Sequence, residues 1–180
     1  SSSGGFEALE KPVRIMNTRD GDMVGSLDVA GDSDPYVLQV AGVAGVPESA
    51  VAVAMNVTAV GTLANDYGGY VTVYPCGGEL PDVSNLNFVS GQTVPNNVIV
   101  PLSADGTVCF YVYGKAHLLA DVSGYFPSGF EPLRPARLLD TRGGDMVGEI
   151  DGSGAAYELQ VTGKEGVPSS GVSAVALNVT

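Results

Sequence analysis

The chain has no tryptophan, one histidine, two cysteines, and only eight Lys and Arg against 20 Asp and Glu. Without clustered Lys and Arg it has nothing to displace the counterions of a phosphate backbone, so nucleic acid is excluded as a partner. A formal charge of −12 disfavours an anionic membrane surface for the same reason. No apolar run approaches the length that spans a bilayer, and membrane insertion is not expected. Nor does any stretch carry a 3.6-residue apolar period with caps, so no substantial helix is expected. Charged residues are few (16%), but 44% of the chain is apolar, enough to bury a core and unlike a disordered tail. What is plentiful is glycine (25), proline (11) and tyrosine (eight), the composition of an acidic, turn-rich, all-β protein.

Residues 1–10 are expected to be a flexible leader; Ser1-Ser2-Ser3-Gly4-Gly5 has neither the basic start nor the apolar centre of a signal peptide. Cys76 and Cys109 each lie in a strand-like run, 33 residues apart with no histidine beside them, which makes a poor metal site. A disulfide between adjacent strands is expected, and it places the protein outside the cytoplasm. The alternative is two buried thiols acting as small hydrophobes.

The strongest signal is an internal repeat. Lys11-Pro12-Val13-Arg14-Ile15-Met16-Asn17-Thr18-Arg19 returns as Arg134-Pro135-Ala136-Arg137-Leu138-Leu139-Asp140-Thr141-Arg142. Gly21-Asp22-Met23-Val24-Gly25 returns unchanged as residues 144–148. Residues 36–47 match 157–168, and residues 52–58 match 174–180. The period of about 120 residues is that of a domain rather than of a solenoid or propeller unit. The expected organisation is therefore a complete β repeat domain over 11–126, a Pro-stiffened linker over 127–133, where Phe130 and the preceding Phe126 wedge the domains together, and the first half of a second repeat over 134–180. Nothing in 134–180 corresponds to 59–127, and a half domain cannot bury its inner face alone. Its apolar residues Leu138, Val147, Leu159, Val161, Val167, Val175 and Leu177 are candidate self-association contacts, completed by further chain or by another subunit.

Within the first repeat, alternation and turn residues predict nine strands: 13–18, 25–30, 36–42, 50–60, 69–76, 85–89, 96–103, 107–113 and 116–123. Asp105-Gly106 reads as the turn of a hairpin between two of them. This spacing predicts a two-sheet β-sandwich, jelly-roll or Ig-like, with a small closed β-barrel as the alternative.

Five motifs carry a resemblance: Arg137-Leu138-Leu139-Asp140-Thr141-Arg142, Gly166-Val167-Pro168, Ala176-Leu177-Asn178-Val179-Thr180, Ser84-Asn85-Leu86-Asn87-Phe88 and Asp121-Val122-Ser123-Gly124-Tyr125-Phe126. Together they resemble a long tandem repeat of secreted and cell-surface bacterial proteins, common in actinobacteria. The resemblance spans 11–126 and 134–180. It implies a non-catalytic extracellular module, found in arrays or beside secreted enzymes. The first copy departs from it at Met16-Asn17, where the second has Leu139-Asp140.

No catalytic constellation stands against that reading. His117 has no Gly-x-Ser-x-Gly nucleophile to serve and is expected to bond a backbone group at the start of the last strand. The acids concentrate in Gly-rich turns (Asp20, Asp22, Asp32, Asp34), where they make Asx-turns. Asp20 and Asp22 are the candidate Ca²⁺ ligands, but copy two has one carboxylate fewer and no full calcium loop occurs; no other cofactor is expected. Arg14, Asn17 and Arg19, with Arg137, Asp140 and Arg142, are expected to form a structural clasp in which a guanidinium caps turn carbonyls or a carboxylate. The tyrosines, including Tyr67, Tyr70, Tyr74, Tyr111 and Tyr113, raise sugar stacking, which cross-strand pairing explains as well. Asn56 and Asn178 fit N-x-[ST] but lie in strand-like runs and are expected to be ladder polar groups. The expected function is a structural or adhesive repeat of a surface stalk or extracellular filament, with other copies of the chain as partners. A carbohydrate-binding module recognising surface glycan is the alternative.

Overall fold

The computed structural model describes residues 5–27, 34–133, 136–143 and 157–179. The expected strand over 28–30, Asp32, and Met146, Val147 and Gly148 of the second copy lie outside the described residues. Among the described residues all regular structure is strand: β1 (Glu7–Asn17), β2 (Val24–Ser26), β3 (Tyr36–Gln39), β4 (Ala52–Leu63), β5 (Gly69–Pro75), β6 (Leu86–Phe88), β7 (Val94–Pro101) and β8 (Thr107–Phe126). The chain divides into two units, residues 1–132 with 178–180, and residues 133–177.

The first unit is one curled eight-stranded sheet, nearly closed, of the barrel-like kind and not two packed sheets. Its order is β6-β5-β8-β4-β7, with β1, β2 and β3 all paired to β8 as well. The curl brings β7 beside β5 and β6. Asp105-Gly106 does make a tight turn, with the Gly106 amide donating to the Ser103 carbonyl at 2.9 Å. It is not a hairpin, because β4 lies between β7 and β8 in the sheet.

The expected strands 107–113 and 116–123 are a single 20-residue strand. Period-two alternation explains why. Val108, Phe110, Val112, Ala116, Leu118, Ala120 and Val122 all face the core, and their even parity runs unbroken through Gly114. Gly114 and Gly124 occupy the two inward positions without side chains. The rings of Phe88 and Phe6 lie over them, so that a Cβ at Gly124 would sit 2.4 Å from the Phe6 ring. Residues 7–10, expected in a leader, belong to β1; Glu7 and Ala8 pair with Tyr125 and Gly124. Phe126 packs between Phe6 and Phe130, with ring centroids 5.5 and 5.3 Å away, so both linker phenylalanines belong to the first unit.

The core combines the inward face of β8 with Met55, Val57, Ala59, Val71, Val73, Leu86, Phe88, Val98 and Val100. On the outer face of β5 and β8, the odd-numbered positions of β8 build a smaller cluster of Tyr74, Cys109 and Tyr111, flanked by Tyr70, Cys76 and Tyr113. Cys76 and Cys109 are joined in a disulfide. In the second unit none of the described residues is in a strand.

Candidate functional site

Every strand of the first half-repeat reaches the sheet through β8. Along one edge β8 receives β3 at residues 107–110, β2 at 113–116 and β1 at 119–125. Its other edge receives β5 and β4. No two of β1, β2, β3 and β4 are neighbours in the sheet. The long strand is therefore a seat, and residues 7–63 are what it seats.

Specific side chains fix that seating. Arg14 reaches across from β1 to Asp121 of β8 in a bidentate ion pair, with Nε and Nη2 each 2.8 Å from a carboxylate oxygen. The carboxylate raises the Arg14 guanidinium above its ordinary value, through the hydrogen bonds first and the charge second. Thr18 then holds β8 at three points. Its amide donates to the Leu118 carbonyl at 3.0 Å, its Oγ1 accepts from the Leu118 amide at 2.9 Å, and its carbonyl oxygen lies 2.9 Å from His117 Nδ1. His117 thus does engage a backbone group, but from the middle of a strand. Next, β2 approaches β8 so closely that a Cβ at Gly25 would sit 2.2 Å from the Gly114 carbonyl oxygen. Past β3, the Val40 and Ala41 amides both donate to the Gly106 carbonyl, and Gln39 Nε2 spans the Ala41 and Asp105 carbonyls.

The expected clasp is only partly as anticipated. Arg19 and Asn17 do pair, with Nε donating to Oδ1 at 3.0 Å, and Arg142 Nε pairs with Asp140 Oδ1 at 2.9 Å. In each copy the Arg amide also donates to the same Oδ1, at 3.2 and 3.1 Å. Arg137 joins Asp140 at 3.2 Å, whereas its counterpart Arg14 belongs to the Asp121 pair. The Arg19 and Arg142 guanidinium groups are exposed and are held by side chains, not by buried turn carbonyls. The Arg142 hydrogen bonds hold the Asp140 carboxyl well below the usual carboxylate range.

The second unit repeats the local geometry of the first without its strands. The Gly163 amide donates to the Val167 carbonyl at 2.9 Å, as the Gly42 amide does to Val46. Glu165 and Ala44, equivalent loop positions, both adopt left-handed φ, 45° and 54°. Gln160 Nε2 donates to the Thr162 carbonyl at 3.1 Å, as Gln39 does to Ala41 at 3.0 Å. Turns and clasps need only neighbouring residues, so they form in both copies. Burial needs β8. Met16, Val53 and Met55 are 3%, 0% and 1% exposed; their counterparts Leu139, Val175 and Leu177 are 39%, 42% and 52% exposed. Leu38 and Val40 are buried, while Leu159 and Val161 are half-exposed. Leu138 matches Ile15, which lies at the edge of the core. The counterpart of the deeply buried Met16 is Leu139, a position that alternation in the second copy did not single out.

The remaining candidates are placed as follows. Asp20 and Asp22 line an open hollow of about 600 Å³ with Asn17, Asp34 and Tyr36, but among the described residues no three His, Cys, Asp or Glu are grouped to hold a metal ion. Tyr70 stacks on Tyr113 with centroids 5.2 Å apart and 19° between the planes. Burial raises the Tyr70 and Tyr74 phenols above the ordinary tyrosine value, with Tyr111 adding to both. Asn56 donates to Thr58 Oγ1 within β4. Asn178, in the three residues that group with the first unit, accepts from Asn96 Nδ2 at 2.7 Å and donates to the Ser84 carbonyl at 3.1 Å. Sequence reasoning missed the Arg14–Asp121 pair, which bridges 107 residues, and the triple role of Thr18. The signal for both was the survival of Arg and Thr at 137 and 141 in a chain with few charges. No protein family matches this chain, and no curated protein matches it.

Proposed function

We propose that this chain is a non-catalytic structural or adhesive repeat module of a surface stalk or extracellular filament, joined to other copies through repeat-to-repeat or strand-exchange contacts. The observation that carries this reading is the contrast between the two copies. One block of sequence is buried on β8 in residues 7–63 and left exposed, with its turns already made, in the second unit. Exposed segments whose sequence matches strands already seated on a sheet are a means by which repeat modules join. The Cys76–Cys109 disulfide favours an oxidising compartment. No helix among the described residues is long and apolar enough to cross a membrane. The resemblance to tandem repeats of secreted actinobacterial proteins points the same way.

Sedimentation and electron microscopy of the chain with and without residues 131–180 test the proposal. Assemblies are expected only with that segment present. Assemblies that persist unchanged without it overturn the strand-exchange reading. The carbohydrate-binding alternative draws less support, because Tyr70 and Tyr113 stack on each other and Tyr74 and Tyr111 are buried. Among the tyrosines singled out above, Tyr67 alone is largely exposed, at 92%, and a single ring is a poor sugar platform.

A further inference from the structure

We infer that residues 136–143 and 157–179 of the second copy are the receptor for one particular kind of partner strand: a polypeptide segment of the β8 type that is not already seated in a folded unit. The inference rests on the reading of this chain as a joining module and identifies what it joins to.

The topology sets the requirement. All four strands of the first half-repeat pair with β8, none of them with another of the four, and β4 alone has a second neighbour, β7. One β8-like strand would therefore give a partner to every strand that 134–180 can form. The β8 of a second intact copy is not available for this purpose. Both of its edges are filled by that copy's own strands, β3, β2 and β1 on one side and β5 and β4 on the other. Lending it would leave residues 7–63 of the donor as exposed as 134–180 had been, with no net burial. The partner must bring a β8-type strand whose edges are open.

The receptor residues specify that strand's chemistry position by position. Arg137 stands where Arg14 pairs with Asp121, so the partner carries a carboxylate there. Thr141 stands where Thr18 grips the Leu118 backbone, and fixes the register. Leu139, Leu159, Val161, Val175 and Leu177 call for an apolar residue at every second partner position, as β8 has from Val108 to Val122. A carboxylate and one apolar face at these spacings define a narrow class of ligand.

The test uses the full chain and a synthetic 20-residue peptide with the sequence of Thr107–Phe126, carrying Cys109→Ser, as the probe. Hydrogen exchange followed by mass spectrometry reads residues 136–179 separately from the first unit. The expected result is one peptide bound per chain, with amide exchange in 136–179 slowed by about tenfold or more and the first unit unchanged. A scrambled peptide, or the chain with Leu139→Asp, is expected to lose that protection, while the first unit again serves as the internal control for folding. No protection, or protection that the scrambled peptide and the Leu139→Asp chain reproduce, overturns the inference. So does protection of 136–179 without peptide accompanied by loss of protection in 7–17, which would mean that the chain's own β8 is the seat. If the peptide fails while removal of 131–180 still abolishes assemblies, this inference falls and the proposed function stands.

Discussion

Gly25 of β2 lies against the carbonyl oxygen of Gly114 in β8 with no room for a methyl group between them. A Cβ on Gly25 would lie 2.2 Å from the Gly114 carbonyl oxygen and 2.7 Å from that of Val112, and Gly25 has φ +96°. Clash with backbone and a left-handed φ act together here. Gly25→Ala is expected to destabilise the first unit by about 2 kcal/mol or more. Gly77→Ala, at φ +84° with nothing within 4 Å of the new Cβ, is expected to cost about 1 kcal/mol from strain alone. Urea midpoints of the two variants measure the difference, and equal costs would show that the close approach is not rigid.

The disulfide ties the end of β5 to β8 across a separation of 33 residues. Reduction is expected to lower stability by roughly 3–4 kcal/mol in the chain-entropy picture. Mass spectrometry after alkylation without reductant is expected to find no labelled thiol.

Repeat-equivalent residues should answer truncation differently. Met55→Ala leaves a cavity in the core beside β8 and is expected to cost about 2–5 kcal/mol. Leu177→Ala, at the same repeat position but exposed, is expected to change stability by less than about 0.5 kcal/mol in the isolated chain. Addition of the β8 peptide is expected to turn the Leu177 substitution into a loss of affinity.

The Asp140 clasp gives a pH signature. Asp140 is held below the usual carboxylate range, first by the Arg142 side-chain hydrogen bonds and then by the Arg142 amide. A depressed carboxyl favours the ordered form wherever the unfolded group would also be ionised, so the clasp is complete above the ordinary Asp range and opens as pH falls through the lowered value. The Arg142 amide resonance is expected to hold its position down through that range and to shift only below it. Both groups are exposed, so Arg142→Ala is expected to leave the melting temperature unchanged while abolishing this signature.

The repeat, the all-β class, the disulfide and the turn loops were legible in the sequence because each rests on local chemistry or on direct identity between segments. The sheet order was not. Alternation says which face a residue takes but not which strand lies beside it, so Asp105-Gly106 read as a hairpin although β4 separates its two arms. Gly114-Lys115 read as a break because glycine usually ends a strand, yet the even parity from Val108 to Val122 marked a single strand. Arg14 looked like part of a local clasp because its neighbours in sequence are close and Asp121 is far. The exposure of Arg142 was likewise invisible, since a recurring arginine in a weakly charged chain looks the same whether it caps a buried carbonyl or a neighbouring carboxylate.

The position of β8 at the end of its unit dictates the order of events when the protein is made. A ribosome delivers β1 to β4 first; β4 can meet β7 once residues 94–101 emerge, but β1, β2 and β3 have no partner strand until residues 107–126 follow. The first three strands must wait as an open chain until that one late segment lets the sheet close in a single cooperative step. Pairings that span about a hundred residues make that step slow. Slow closure makes premature association of the waiting strands the main hazard of its biogenesis.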